Sequence, residues 1–173
     1  MFTTLRLYTV ISLVGLVSAC SASDESQHLI PVPDQPNAPD FVLNDPKGNE
    51  VRLADFLGMP LIVNFWATWC PPCRAEMPSM ERAWQVLRHE GIELIAINVG
   101  EDADTVSRFL SEVPVGFAMP LDTDSKVVQS WPVRGLPTTY VVDPSGRLVF
   151  QAVGEREWDA PELMDLVRTL KKD

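Results

Sequence analysis

Basic residues are scarce in this 173-residue chain: 14 Lys and Arg stand against 24 Asp and Glu, for a formal charge of −10. A surface that grips phosphate backbones concentrates Lys and Arg on one face, so nucleic acid is not an expected partner. Metal ligands are scarcer still, with two histidines, His28 and His89, far apart and three cysteines of which only two lie close together. A structural zinc site needs about four ligands, so no metal site and no cofactor are expected. There is no internal repeat, and the apolar run near the start, Leu7 to Val17, falls short of the about 20 residues a comfortable membrane span needs. At 46% hydrophobic and 22% charged, the chain has material for one packed core and hence one domain. Its acidity fits a soluble, self-repelling surface.

The first residues differ from the rest. Arg6, the apolar core and the small residues Ser18 and Ala19 read as an export signal. Val17-Ser18-Ala19-Cys20 resembles a bacterial lipoprotein signal, in which cleavage precedes the cysteine and the cysteine is acylated. That division gives a signal at 1–19, a lipidated tether at 20–37 and a domain at 38–173. An ordinary signal and an uncleaved anchor are the alternatives, and each also places the domain outside the cytoplasm. Several acyl chains on Cys20 would attach the protein lastingly, since one chain alone binds marginally. Ser21 resembles the position that passes lipoproteins to the outer membrane of some Gram-negative bacteria, which leaves inner against outer membrane open. The stretch SASDESQHLIPVPDQPNAP, residues 21–39, is Ser-, Asp- and Pro-rich and reads as the tether, with His28 solvated in it.

From Asp40 the pattern turns periodic. Phe41-Val42-Leu43 and Val51-Arg52-Leu53, joined by an Asn-Asp-Pro-Lys-Gly-Asn turn, predict a β-hairpin. Leu61 to Trp66 is apolar except for Asn64, the mark of a central strand buried on both faces. Met77, Met80, Trp84 and Leu87 form a helical stripe ending near Gly91, with Pro78 expected to bend it. Ile92 to Val99 predicts a second buried strand, and Val106, Phe109, Leu110 and Val113 a second helix. Thr139 to Asp143 and Leu148 to Val153 flank a Pro-Ser-Gly turn. A last helix buries Leu163, Leu166, Val167 and Leu170, with Asp159 and Glu162 at capping-box spacing and Lys171 and Lys172 at its end. The order predicts an α/β fold: a mixed sheet with helices on both faces and an N-terminal hairpin extension.

With Cys20 assigned to lipid, Cys70 and Cys73 in FWATWCPPCRAEMP can pair only with each other. A bridge over so small a loop restricts the unfolded chain little, which argues against a staple. The pair lies where a buried strand runs into a helix, so Cys70 meets the N-terminal N–H groups and dipole that favour a thiolate. Cys70 is the expected nucleophile and Cys73, one turn on and more buried, the resolving thiol. Pro71 and Pro72 lack N–H groups and leave the Cys70 thiolate fewer donors, which tunes the centre toward reduction. Trp69 is expected as an apolar rim for a docking partner, Trp66, Trp84 and Phe65 as core, Arg74 as a surface charge with support of the Cys70 thiolate as its alternative, and Glu76 as part of a solvated helix face with a base for the cysteine pair as its alternative.

Residues 38–173 resemble the thioredoxin superfamily, and more closely its membrane-tethered TlpA/ResA-like reductases of DsbE/CcmG type. The resemblance rests on the entry Ala-Pro-Asp-Phe, the run Val-Asn-Phe-Trp-Ala-Thr-Trp-Cys-Pro-Pro-Cys, and Leu-Pro-Thr-Thr followed by Val-Val-Asp-Pro-Ser-Gly. It implies a thioredoxin fold with Pro137 as a cis-proline, and docking of the substrate chain by Leu136, Pro137 and Thr138. Asn64 stands where the superfamily usually has a buried proton-accepting aspartate. In the resemblance Glu101 takes over as acceptor for the Cys73 proton; read from the residues alone, it is an exposed start to the next helix. The implied activity is reduction of protein disulfides outside the cytoplasm, with apocytochrome c as one client, electrons from a transmembrane thiol carrier of DsbD/CcdA type, and a monomer as the working unit. An oxidant or isomerase of the same fold and a thiol-based metal-binding module are the alternatives. A peroxiredoxin would place threonine three residues before its reactive cysteine, whereas Thr68 stands two before Cys70.

Overall fold

The structure, a computed structural model, describes residues 28–171. The apolar run that predicted a central strand forms β4 (Leu61–Trp66), every residue of which is buried. It lies inside an eight-stranded sheet of order β1-β8-β7-β4-β5-β6-β2-β3. β5 (Glu93–Val99) and β6 (Leu121–Asp122) run parallel to β4; on its other side β7 (Thr138–Val142) runs antiparallel to β4 and β8 (Leu148–Val153) antiparallel to β7. The predicted hairpin is β2 (Val42–Asn44) and β3 (Glu50–Arg52), attached through Asn44 opposite Leu121.

The side chains of β4 divide by parity, as the pleat requires. Ile62 and Trp66 join Met77 and Met80 of α1 (Pro71–Leu87), Val106 and Phe109 of α2 (Ala103–Glu112) and Leu163 and Val167 of α4 (Pro161–Arg168) in one cluster. Leu61, Val63 and Phe65 face the other, with Phe41, Val51, Trp131 and α3 (Lys126–Ser130). The five-residue α3 is held by fully buried Asp122, whose carboxylate accepts from Val127 N at 3.1 Å and Val128 N at 2.8 Å.

Two expectations change. Residues 29–37, read as the end of the tether, lie along the sheet: β1 (Ile30–Pro31) pairs with β8, Leu29 is buried, and Leu148 N donates to Pro36 O at 2.9 Å. β1 is an edge strand, where prolines cost no ladder bond that the sheet needs. The capping box at Asp159 does not form. Pro161 opens α4 at its first position, making Ala160 the cap, and the Asp159 carboxylate instead binds Arg82 Nε at 2.6 Å. The expected signal and Cys20 lie outside the described residues. Among the described residues no helix is long and apolar enough to cross a membrane.

Candidate active site

β4 delivers the chain into α1 through Ala67 to Cys70. Cys70 caps the helix, Pro71 and Pro72 fill its first two positions where a missing N–H breaks no helical bond, and Cys73 completes the first turn. The two cysteines form a disulfide with Cα atoms 5.3 Å apart. Cys73 N donates to Cys70 Sγ at 3.3 Å, the helix-terminal donor that the prolines spare. Cys73 is fully buried and Cys70 nearly so. Beside them Trp69 is 68% exposed, an apolar surface next to the reactive pair.

Strand register sets what else surrounds this end of the sheet. Phe65 lies opposite Thr138 and Trp66 opposite Asn98, so the Leu136–Pro137 segment and the loop after β5 flank the chain that enters the cysteine pair. The Leu136–Pro137 peptide is cis. Thr138 is buried and donates from Oγ1 to Gly135 O at 2.7 Å. Opposite Thr138 on β8, Val153 is exposed.

Glu101 reaches the same neighbourhood by a left-handed turn at Gly100, φ 77°. Its carboxylate accepts from Thr68 N at 2.7 Å and Asn98 Nδ2 at 2.8 Å, and from the Thr68 hydroxyl. The hydrogen bonds it accepts come from the segment leading to Cys70 and from β5. It therefore holds the Thr68 approach to Cys70.

Glu76 corrects the solvated-face expectation. It is 1% exposed and lies three residues beyond Cys73, on the same face of α1. Asn64 Nδ2 donates to Oε1 at 2.8 Å, while Trp158 Nε1 at 3.1 Å and Arg156 N at 3.2 Å donate to Oε2. Burial raises its pKa from 4.5 to about 7, against the lowering effect of those three hydrogen bonds and the Arg156 charge. The residue at the strand position, Asn64, cannot take a proton, but it holds by hydrogen bond a carboxylate that can. The signal was present in the helix pattern: Cys73, Glu76, Met80, Ala83 and Leu87 recur at spacings of three and four, and all are buried.

Of the other aromatic residues, Trp66 and Phe65 are core and Trp84 is half-buried. Arg74 is exposed, with its guanidinium 5.7 Å from the centre of the Phe109 ring. Among the described residues no group of three or more His, Cys, Asp or Glu comes together to hold a metal ion.

Comparison with known proteins gives the same assignment from a separate direction. The chain is 39% identical over 118 residues to the thiol-disulfide oxidoreductase ResA of Bacillus subtilis, covering 68% of this chain and 66% of that protein. To ResA of Halalkalibacterium halodurans it is 35% identical over 132 residues, 76% of this chain and 75% of the relative. A crystal structure from Chlorobium tepidum, described as a candidate thiol:disulfide interchange protein DsbE, superposes with a TM-score of 0.74 at 29% identity over 84% of this chain and all of that one. Residues 35–151 match the AhpC/TSA family, and the chain therefore belongs to that thioredoxin-like family, with the ResA thiol-disulfide oxidoreductases among its relatives.

Proposed function

We propose that this protein reduces disulfide bonds in client proteins outside the cytoplasm, tethered to the membrane through a lipid on Cys20. The observation that carries the reading is the buried Glu76 carboxyl one helical turn beyond Cys73, at the foot of a cysteine pair that caps a helix at a sheet end. In the reduced protein the Cys70 thiolate attacks a client disulfide, forming a mixed disulfide and releasing one client thiolate, which takes up a proton. Cys73 then gives its proton to the Glu76 carboxylate and attacks Cys70 Sγ. The Cys70–Cys73 disulfide forms and the second client sulfur leaves as a thiolate that takes up the proton held on Glu76, so two electrons and two protons, the first of these from solvent, reach the client.

Two features support the reducing direction. Pro71 and Pro72 remove donors that would stabilise the Cys70 thiolate, and a thiolate that is less stabilised makes its dithiol a better reductant. An ionised Glu76 near Cys73 acts in the same sense, disfavouring a second negative charge. Trp69 and the Leu136–Thr138 edge receive the client chain, with Glu101 fixing the Thr68–Cys70 approach. The dithiol is regenerated by a membrane thiol carrier of the DsbD/CcdA type, and apocytochrome c before haem attachment is one client.

The test is the reduction potential of the Cys70–Cys73 couple, measured by equilibration against glutathione or dithiothreitol. A value near or below the thioredoxin level of about −270 mV is expected; a value near about −120 mV, the level of a dedicated oxidant, would reverse the direction.

A further inference from the structure

The carboxyl of Glu76 is held from outside its own helix. Of its three donors, one comes from β4 and two from the loop between β8 and α4, about 80 residues further along the chain. That loop is itself fastened at three points. Gly154 N donates to Pro137 O at 2.9 Å, Trp158 N to Ser79 Oγ at 3.1 Å, and the Arg156 guanidinium Nη1 to the carbonyls of Val153, Gly154 and Glu155 at 2.8–3.3 Å. The Trp158 ring is 1% exposed and part of the core. Its indole N–H therefore has a fixed direction, toward Glu76 Oε2.

We propose that Trp158 is a positioning residue for the reductase reaction, its indole N–H holding the Glu76 carboxyl in place and setting its readiness to take the proton of Cys73. The proposal rests on the reading of Glu76 as the acceptor. A buried hydrogen bond to a carboxylate favours its charged form, and the indole, a donor with no acceptor capacity, cannot reverse its role when the carboxyl is protonated. Protonation of Glu76 thus weakens this bond, and ionisation restores it. The charged or titratable groups around Glu76 are Cys73 on α1, Arg156 from the loop, and Glu155 and Glu157, which share with Glu76, Ala75 and Arg156 the lining of a cleft of about 60 Å³. β4 and β7 present only the neutral Asn64 and Thr139, themselves hydrogen-bonded at 2.9 Å. The cleft places Glu76 beside the surface on the side of the loop, so its proton can exchange with water while a client covers the cysteines.

The experiment uses the full-length protein with ¹⁵N-labelled tryptophan and ¹³C-carboxyl-labelled glutamate. With the disulfide intact, the Trp158 indole N–H resonance is expected to titrate with the Glu76 carboxyl, with a midpoint near the about 7 that its burial dictates, and to lose that titration in Glu76→Gln. In Trp158→Phe the carboxyl midpoint is expected to rise by about one pH unit. The rate of disulfide reduction is expected to rise with pH as Glu76 ionises, and that rise should move with the carboxyl midpoint. A wild-type Trp158 resonance that stays constant across Glu76's titration overturns the proposal, whether or not Trp158→Phe folds. A carboxyl midpoint that rises in Trp158→Phe while the rate profile stays put supports the hold on Glu76 and overturns Glu76 as acceptor, so the two failures are told apart.

Discussion

Glu76→Gln removes a charge from the core at nearly constant volume, and its effect on stability has a definite pH dependence. Burial raises the Glu76 pKa from 4.5 to about 7 in the folded protein. Between those values the folded state keeps a proton that the unfolded state has lost. The slope of unfolding free energy with pH is proportional to protons bound in the unfolded state less those in the native state, so it is negative there, and stability falls as pH rises. The contribution is fully present below 4.5, declines through the window and is gone above about 7. With each unit worth 1.36 kcal/mol, the loss is about 3 kcal/mol.

The glutamine variant escapes that loss. It also carries a cost of its own, since its single carbonyl oxygen cannot serve Asn64 on one side and Trp158 with Arg156 on the other. That cost, about 1–3 kcal/mol, does not vary with pH. The assay is urea unfolding of the oxidised protein and of Glu76→Gln at a series of pH values. With the disulfide intact neither cysteine titrates, and subtraction cancels the groups common to both proteins. Wild type is expected to lose about 3 kcal/mol relative to the variant as pH rises from about 4.5 to above 7. A difference constant across that window would refute the assignment of a proton-holding carboxyl in the core, whatever the variant's absolute stability.

Other outcomes follow from the same geometry. Cys73→Ser should stop the reaction at the mixed disulfide, seen as a client-sized mass increase on Cys70 that dithiothreitol reverses; Cys70→Ser should give no adduct. Trp69→Ala should change stability by no more than about 0.5 kcal/mol, because the ring is largely solvated, while raising KM for a protein client more than for a small disulfide. Glu101→Ala strips the acceptor from Thr68 and Asn98 and should cost about 1–3 kcal/mol in urea unfolding. Its pH–rate midpoint should stay at that of wild type, and a moved midpoint would return the acceptor role to Glu101. Gly116→Ala places a Cβ against the Trp84 ring closer than side chains ever approach. It should displace the indole from Glu93, to which it donates at 3.0 Å, with a loss of about 1–3 kcal/mol and a changed near-ultraviolet circular dichroism spectrum.

The elements legible in the sequence were those whose signal is local. Leu61–Trp66 could be read as a central strand because six adjacent side chains must all be covered. The cysteine pair could be placed at a helix start because an apolar strand precedes it and a helical stripe follows. β1 and β6, of two residues each, and the five-residue α3 show no period of their own, and the prolines that made residues 29–37 look like tether are the same ones an edge strand tolerates.

Glu76 marks the boundary between the two kinds of information. By itself it is a carboxylate in a helix between Arg74 and Glu81, which reads as a wetted face. What buries it is Asn64, 12 residues before it, and the Arg156–Trp158 turn, about 80 residues after it. The chain by itself determined that a redox-capable pair stands at the end of a buried strand. Which carboxyl is buried one helical turn beyond that pair, and which one braces its approach, was decided by packing between distant segments, because a proton's affinity depends on the dielectric and donors that surround it and not on the residue that carries it.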